Sequence, residues 1–100
     1  MSYDEIAQTF RRRALEFAPL KARVLFDMGD DGAILVDASE APPEVHEQSG
    51  DADCTIRVSA DNLEKLMSGA MNPTLAYTLG RLKIDGSMGL AMKVANLLDE

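Results

Sequence analysis

The sequence predicts a single α+β domain, with most of its strands in a block before most of its helices. Three observations lead there. Apolar residues alternate in twos across several runs between positions 24 and 58, and recur at helical spacing before and after them. The runs are separated by short turn clusters with no room for a helix, which favours antiparallel pairing. The chain has 100 residues, of which 46% are hydrophobic and 27% charged, the composition of one globular domain spanning residues 1–100.

Ser2-Tyr3-Asp4-Glu5 reads as a capping box, and Ile6, Phe10, Ala14 and Phe17 follow at helical spacing, so a helix of about four turns is expected before Pro19. Arg11-Arg12-Arg13 fall mostly off that stripe and are expected to form a solvated basic face. Residues 23–28 alternate, with Val24, Phe26 and Met28 on one side, and residues 33–38 are rich in Ile, Leu and Val. Gly29-Asp30-Asp31-Gly32 between them is hairpin chemistry. A short third strand is expected near Val45, bounded by Pro42-Pro43. Residues 53–58 place Cys54, Ile56 and Val58 inward and Asp53, Thr55 and Arg57 outward.

The period then changes. Ser59 is a good cap, Leu63, Leu66, Met67 and Ala70 line one helix face, and Gly69 can end the helix. Asn72-Pro73 opens a second helix whose apolar side is Leu75, Ala76 and Leu79, with Gly80 at its end. Residues 81–85 form a short strand with Leu82 and Ile84 inward, and Gly86-Ser87 leads into a last helix from 88 to about 98. The expected order is helix, four strands, two helices, strand, helix.

Charge and residue counts exclude several functions. Seventeen acids against ten bases give a net charge of −7, which repels phosphate backbones, so no nucleic-acid partner is expected. A single cysteine, Cys54, and a single histidine, His46, exclude an intrachain disulfide and a Cys/His zinc site. The acids between Asp27 and Asp53 lack calcium-loop spacing, so no metal site is expected. No glycine loop carries a phosphate-binding pattern, and no cofactor is expected. A helix-turn-helix at 60–79 would have no Lys, Arg, Asn or Gln after Pro73 to meet a base. His46 lies in a polar stretch and Cys54 on an inward face, so no catalytic residue is nominated and the chain is expected not to be an enzyme. The first residues carry Asp4 and Glu5 and no apolar signal core, the chain closes on Leu98-Asp99-Glu100, and no stretch is long enough to span a bilayer. A cytoplasmic location without stable membrane insertion is the expectation.

The last helix is the informative element. Met88, Leu90, Ala91, Met92, Val94, Ala95, Leu97 and Leu98 cover well over half of its circumference. A helix resting on one core needs an apolar arc of about 100°. The surplus must meet a ligand, a partner chain or a membrane, of which the membrane is the weakest candidate for this helix. Met67, Met71, Met88 and Met92 crowd the same third of the chain, and thioethers adapt to irregular apolar shapes.

Met71-Asn72-Pro73-Thr74-Leu75-Ala76-Tyr77, followed by Gly80-Arg81-Leu82-Lys83-Ile84-Asp85-Gly86-Ser87-Met88-Gly89-Leu90-Ala91-Met92-Lys93, resembles the sterol carrier protein 2 domain family. The Asp53-Cys54-Thr55-Ile56 strand, the helix at 63–69 and the hairpin at 24–38 resemble it too, so the likeness covers about residues 20–98. Ser87 stands where the family pattern usually has Asn. The resemblance implies a five-stranded, mostly antiparallel sheet covered by helices, with an apolar tunnel between them. It implies a non-catalytic carrier of a fatty acyl, acyl-CoA, sterol-like or isoprenoid ligand, and the compact chain favours a small or linear lipid. The expected tunnel residues are Phe26, Leu66, Met67, Met71, Leu75, Leu79, Met88, Leu90, Met92 and Val94. A dry, empty cavity of about 400 Å³ would cost on the order of 10 kcal/mol at about 24 cal/mol per Å³. That rivals the whole stability of a domain, about 5–15 kcal/mol. Without ligand the tunnel is expected to collapse, take in water or retain a lipid. The alternative is a non-catalytic interaction module that docks an accessory protein or a second copy through the last helix.

Overall fold

The computed structural model describes residues 2–99. Helix α1 spans Tyr3–Arg12 behind the expected capping box: the Ser2 hydroxyl accepts the Glu5 N–H at 3.3 Å, and the Glu5 carboxylate accepts the Ser2 N–H at 3.4 Å. It is shorter than the sequence predicts. Ala14–Leu20 continues as a 3₁₀ segment that contains Pro19. Proline has no N–H to extend an α ladder and restricts the residue before it, so the chain tightens. Phe17 still reaches the core, edge-on to Phe10 with ring centroids 5.8 Å apart.

Strand β1 (Arg23–Asp27) and β2 (Ala33–Asp37) form the expected hairpin, turned by a single 3₁₀ turn at Gly29–Asp31. Strand β3 (Glu44–His46) adds to β2, and β4 is Cys54–Arg57. Helix α2 (Ala60–Ser68) is capped by Ser59 and ends on Gly69 in the left-handed conformation. Helix α3 is Pro73–Thr78, β5 is Lys83–Gly86 and α4 is Met88–Leu98.

The sheet order is β3-β2-β1-β4-β5, and it is mixed rather than antiparallel throughout, because β4 pairs with β1 in parallel, Val24 opposite Cys54. β3 leaves the chain on one edge, and the next vacant place is on the far side of β1. Residues 47–53 make that crossing. They come close to the sheet face turned away from the helices: a Cβ on Gly50 would lie 3.3 Å from Leu35 Cδ2. On that face Leu25 and Leu35 are 7% and 1% exposed. The other face carries Val24, Phe26, Ile34, Val36, Cys54 and Ile56 into the main core with α1, α2 and α4.

At the β4–β5 junction Gly86 has φ +96°, and a Cβ there would stand 2.5 Å from the Asp53 carbonyl oxygen. That oxygen accepts the Ser87 N–H at 3.2 Å, so the contact that excludes a side chain also aims α4. Gly86→Ala is expected to lower the melting temperature by about 5–15 °C, through a strained φ and a forced separation of the two segments. A melt within a degree or two of the parent would show that the junction relaxes freely.

Candidate functional site

The segment that carries the family resemblance folds by local chemistry. The Asn72 side chain accepts the Leu75 N–H at 3.1 Å, and Pro73 occupies the first turn, where its missing N–H costs nothing. After α3 the Arg81 N–H donates to the Ala76 carbonyl at 2.9 Å, and the chain turns through Gly80 at φ +75° into β5, an edge strand. The Ser87 hydroxyl accepts the Leu90 N–H at 3.1 Å. Serine and asparagine are equivalent caps, so Ser87 preserves the helix start.

Helix α4 lies on β4 and on the 3₁₀ segment, burying Ala91, Val94, Ala95 and Leu98. Its C-terminus is closed by Arg13. The guanidinium donates through Nη1 to the Leu98 carbonyl at 3.1 Å and through Nη2 to the Leu97 carbonyl. Nε donates to Glu16 at 3.0 Å. Arg13 is therefore no part of a solvated face: it is 9% exposed, whereas Arg11 and Arg12 are exposed. The arginine beside it holds the Glu16 carboxyl below the usual range, chiefly by hydrogen bonding.

The ten expected tunnel residues divide into three groups. Phe26, Leu66, Met67 and Val94 are buried in one closed core. Met71 and Leu90 are half-buried against it, and Met92 is half-buried on α4. Leu75, Leu79 and Met88 are exposed, at 55%, 58% and 43%. Of the side expected to hold α3 down, only Ala76 is buried. With a radius of gyration of 11.9 Å, against about 13 Å for an ordinary 100-residue domain, the described fold is tightly drawn in.

Three surface depressions surround this region. One of about 620 Å³ between α3 and β5 is lined by Tyr77, Leu82 and Ile84, with Arg57, Lys83 and Asp85 at its polar side. A second of about 400 Å³ shares Arg57, Gly80 and Lys83 with it and adds Arg81. A third of about 390 Å³ lies between the 3₁₀ segment and α4, with Leu20, Leu97 and Lys93. None of the ten residues lines any of these three. Tyr77, Leu82 and Ile84 lie within the motif, and the alternation of Leu82 and Ile84 with Arg81, Lys83 and Asp85 is the available signal for those two.

The topology separates the two side chains that could have made a nucleophile–base pair. His46 is on β3 and Cys54 on β4, with β2 and β1 between them. His46 stands 3.7 Å from Glu44. Burial, with a smaller contribution from Asp85, pushes the Cys54 thiol up, which keeps it protonated and unreactive.

The same architecture occurs in solved proteins. A sterol carrier protein 2 from Yarrowia lipolytica superposes with a TM-score of 0.72 at 21% identity, over 91% of this chain and 77% of that one. The sterol carrier protein domain 2 of Helicoverpa armigera gives 0.70 at 25% identity, over 95% of this chain and 80% of that one. In sequence, the Bos taurus sterol carrier protein 2 is 56% identical over 46 residues, 46% of this chain and 8% of the bovine protein, so the chain matches only a small part of that relative. A model of the SCP-2 sterol transfer family matches residues 6–99, from the first buried turn of α1 to the end of α4. The mixed five-stranded sheet, the capped α3–β5–α4 unit and that match agree: the chain belongs to the SCP-2 sterol transfer family.

Proposed function

We propose that this chain carries one lipid at a time, a fatty acyl, acyl-CoA, sterol-like or isoprenoid molecule, admitted between α3, α4 and the sheet. Family membership supports lipid or sterol binding and transfer. The observation that carries the access route is α3 itself. It is six residues long, bears no charge, buries only Ala76, and leaves Leu75 and Leu79 in water beside the half-buried Met71. A helix held so lightly can lift without breaking a large apolar contact. Its leucines would then close over an acyl chain, and Met67, Met71 and Met92 can repack around it. The work is binding and release, with no bond made or broken.

A fluorescent fatty-acid titration tests this. Saturable binding at about micromolar Kd or tighter, on the order of −8 kcal/mol, is expected. Leu75→Asp with Leu79→Asp should weaken it at least about tenfold while the melting temperature holds, because both side chains are already exposed. Native mass spectrometry of the purified protein should show a lipid adduct that organic extraction removes. No saturable binding of acyl, isoprenoid or sterol probes would sink the proposal. A stable dimer lost in the same double variant would favour the interaction-module alternative.

A further inference from the structure

We propose that two copies of this chain pair through the free edge of β5, antiparallel about a two-fold axis at Ile84, so that two five-stranded sheets become one. The register of β5 with β4 sets Lys83 opposite Arg57, Ile84 opposite Ile56 and Asp85 opposite Thr55. The Val58 N–H donates to the Asp27 carbonyl at 3.0 Å. By alternation, Cys54 and Ile56 direct their backbone groups at β1, and Thr55 and Arg57 direct theirs at β5. The Ser87 N–H bond to the Asp53 carbonyl, 3.2 Å, has the same phase. Asp85 and Lys83 therefore bond back to β4, and the amide and carbonyl of Ile84 point out of the sheet. Among the described residues no turn, cap or side-chain bond takes up either group. Such an edge is a template for another strand. The opposite edge is already engaged: the Arg11 guanidinium donates to the Val45 carbonyl of β3 at 3.4 Å.

Charge order along β5 selects a second copy as the partner. Only residues whose backbone groups point outward can exchange hydrogen bonds across the edge, so even-numbered residues must face even-numbered ones. Ile84 opposite Gly86 of the other copy would set Asp85 against Asp85, and Ile84 opposite Leu82 would set Lys83 against Lys83. Like charges directly opposed are destabilising. Ile84 opposite Ile84 instead sets each Lys83 against the Asp85 of the other copy, in the closer, non-hydrogen-bonded kind of pair. The edge is thus complementary to itself, as an isologous two-fold contact requires. Lys83 has no carboxylate partner among the described residues, while Arg57 holds Asp85 at 2.6 Å on the same sheet face. Towards the helices, Tyr77 and Ile84 line the depression of about 620 Å³ that runs beside this edge. The Ile84 of a second copy enters there and covers Tyr77, which is 44% exposed in the single chain. A net charge of −7 keeps two copies apart in most orientations, but residues 65–84 contain no Asp or Glu, so repulsion is least along this side.

Sedimentation of the full chain over a range of concentrations tests the pairing, separately from the titration that tests the carrier. Pairing of two short edges belongs with interfaces under about 1,200 Å², so a reversible dimer of micromolar to millimolar strength is expected. Lys83→Glu sets acid against acid and Asp85→Lys sets base against base, and each should weaken the dimer roughly tenfold. An equimolar mixture of those two variants should recover the parent's strength, because every facing pair is again of opposite sign. Ile84→Cys gives a readout that needs neither charge variant. Facing residues of a hydrogen-bonded antiparallel pair have Cα atoms about 5.5 Å apart, within disulfide reach. Ile84→Cys should therefore cross-link under a mild oxidant, whereas the parent, whose Cys54 is buried, should not. Leu75→Asp with Leu79→Asp should keep the dimer, since neither residue lines the depression beside β5. A dimer lost in that variant, a dimer unaffected by Lys83→Glu, a mixture no stronger than its separate components, or no cross-link at Ile84→Cys would overturn the pairing. A monomer at every concentration would overturn it too and leave the carrier standing.

Discussion

Val94→Asp is expected to leave the chain unfolded, whereas Met92→Asp, two residues away on the same helix, is expected to fold. Val94 is fully buried and belongs to the main core; Met92 is half-buried on α4. Removing the valine forfeits about 1.5–3 kcal/mol of apolar burial. Placing a carboxylate in its position, with no partner, adds several kcal/mol more. Together these reach the total stability of a domain, about 5–15 kcal/mol. At position 92 the new carboxylate keeps part of its hydration, and about 1–2 kcal/mol is the expected cost. The two variants therefore separate folding from ligand binding. Thermal melts should show no cooperative transition for Val94→Asp and a cooperative one for Met92→Asp. The fatty-acid titration should fail for Met92→Asp, since a charge beside an acyl chain is repelled by its own need for water. Both variants folding and binding like the parent would mean that α4 is no part of the site.

Arg13→Met should be the most damaging substitution of a charged residue. The methionine keeps an apolar stem and loses the fork that closes the end of α4. The Leu97 and Leu98 carbonyls are among the groups a helix cannot satisfy internally, and they carry the negative end of its dipole. Hydrogen bonds to a charged donor contribute about 1.5–3 kcal/mol each, and a loss of about 2–4 kcal/mol overall is expected. The melting temperature should fall by roughly 10–25 °C. Arg13→Lys should recover only part of this, since a point charge cannot serve two carbonyls and a carboxylate in one plane. The pH profile gives a second readout. The folded Glu16 carboxyl titrates below its ordinary value of 4.5, so its contribution is present above that value and is lost as pH falls through the depressed one. Without Arg13 the depression goes, and stability should depend less on pH below about 4.5. A parent-like melt would show that α4 closes itself.

What the sequence made legible was local. The caps at Ser2, Ser59, Asn72 and Ser87 and the turn at Gly69 each act within three or four residues, and each appears where its chemistry placed it. The alternation of β4 was equally clear, but alternation is the same whichever neighbour a strand takes, so its parallel pairing with β1 could not be read. Arg11, Arg12 and Arg13 look alike in sequence; what distinguishes Arg13 is a contact with Leu98, 85 positions away. The apolar class of the candidate site was legible for a similar reason. Leu66, Met67, Met71 and Leu75 all read as apolar, and only packing decides that the first two fill the core while Leu75 faces water.

The motif by which the family is recognised has a consequence for how specificity is written. Asn72 and Ser87 start helices, Pro73 fixes a first turn, and Gly80 and Gly86 bend the chain where a side chain would be strained or would not fit. These residues set the path of the chain from α3 through β5 into α4, and the cap bonds of Asn72 and Ser87 go only to the chain's own backbone. On the carrier proposal, cargo preference would reside in the volumes and shapes of neighbours such as Leu75, Leu79 and Met92, which can be exchanged without disturbing a single cap. On that proposal, two proteins could carry this signature letter for letter, share a scaffold, and deliver different molecules.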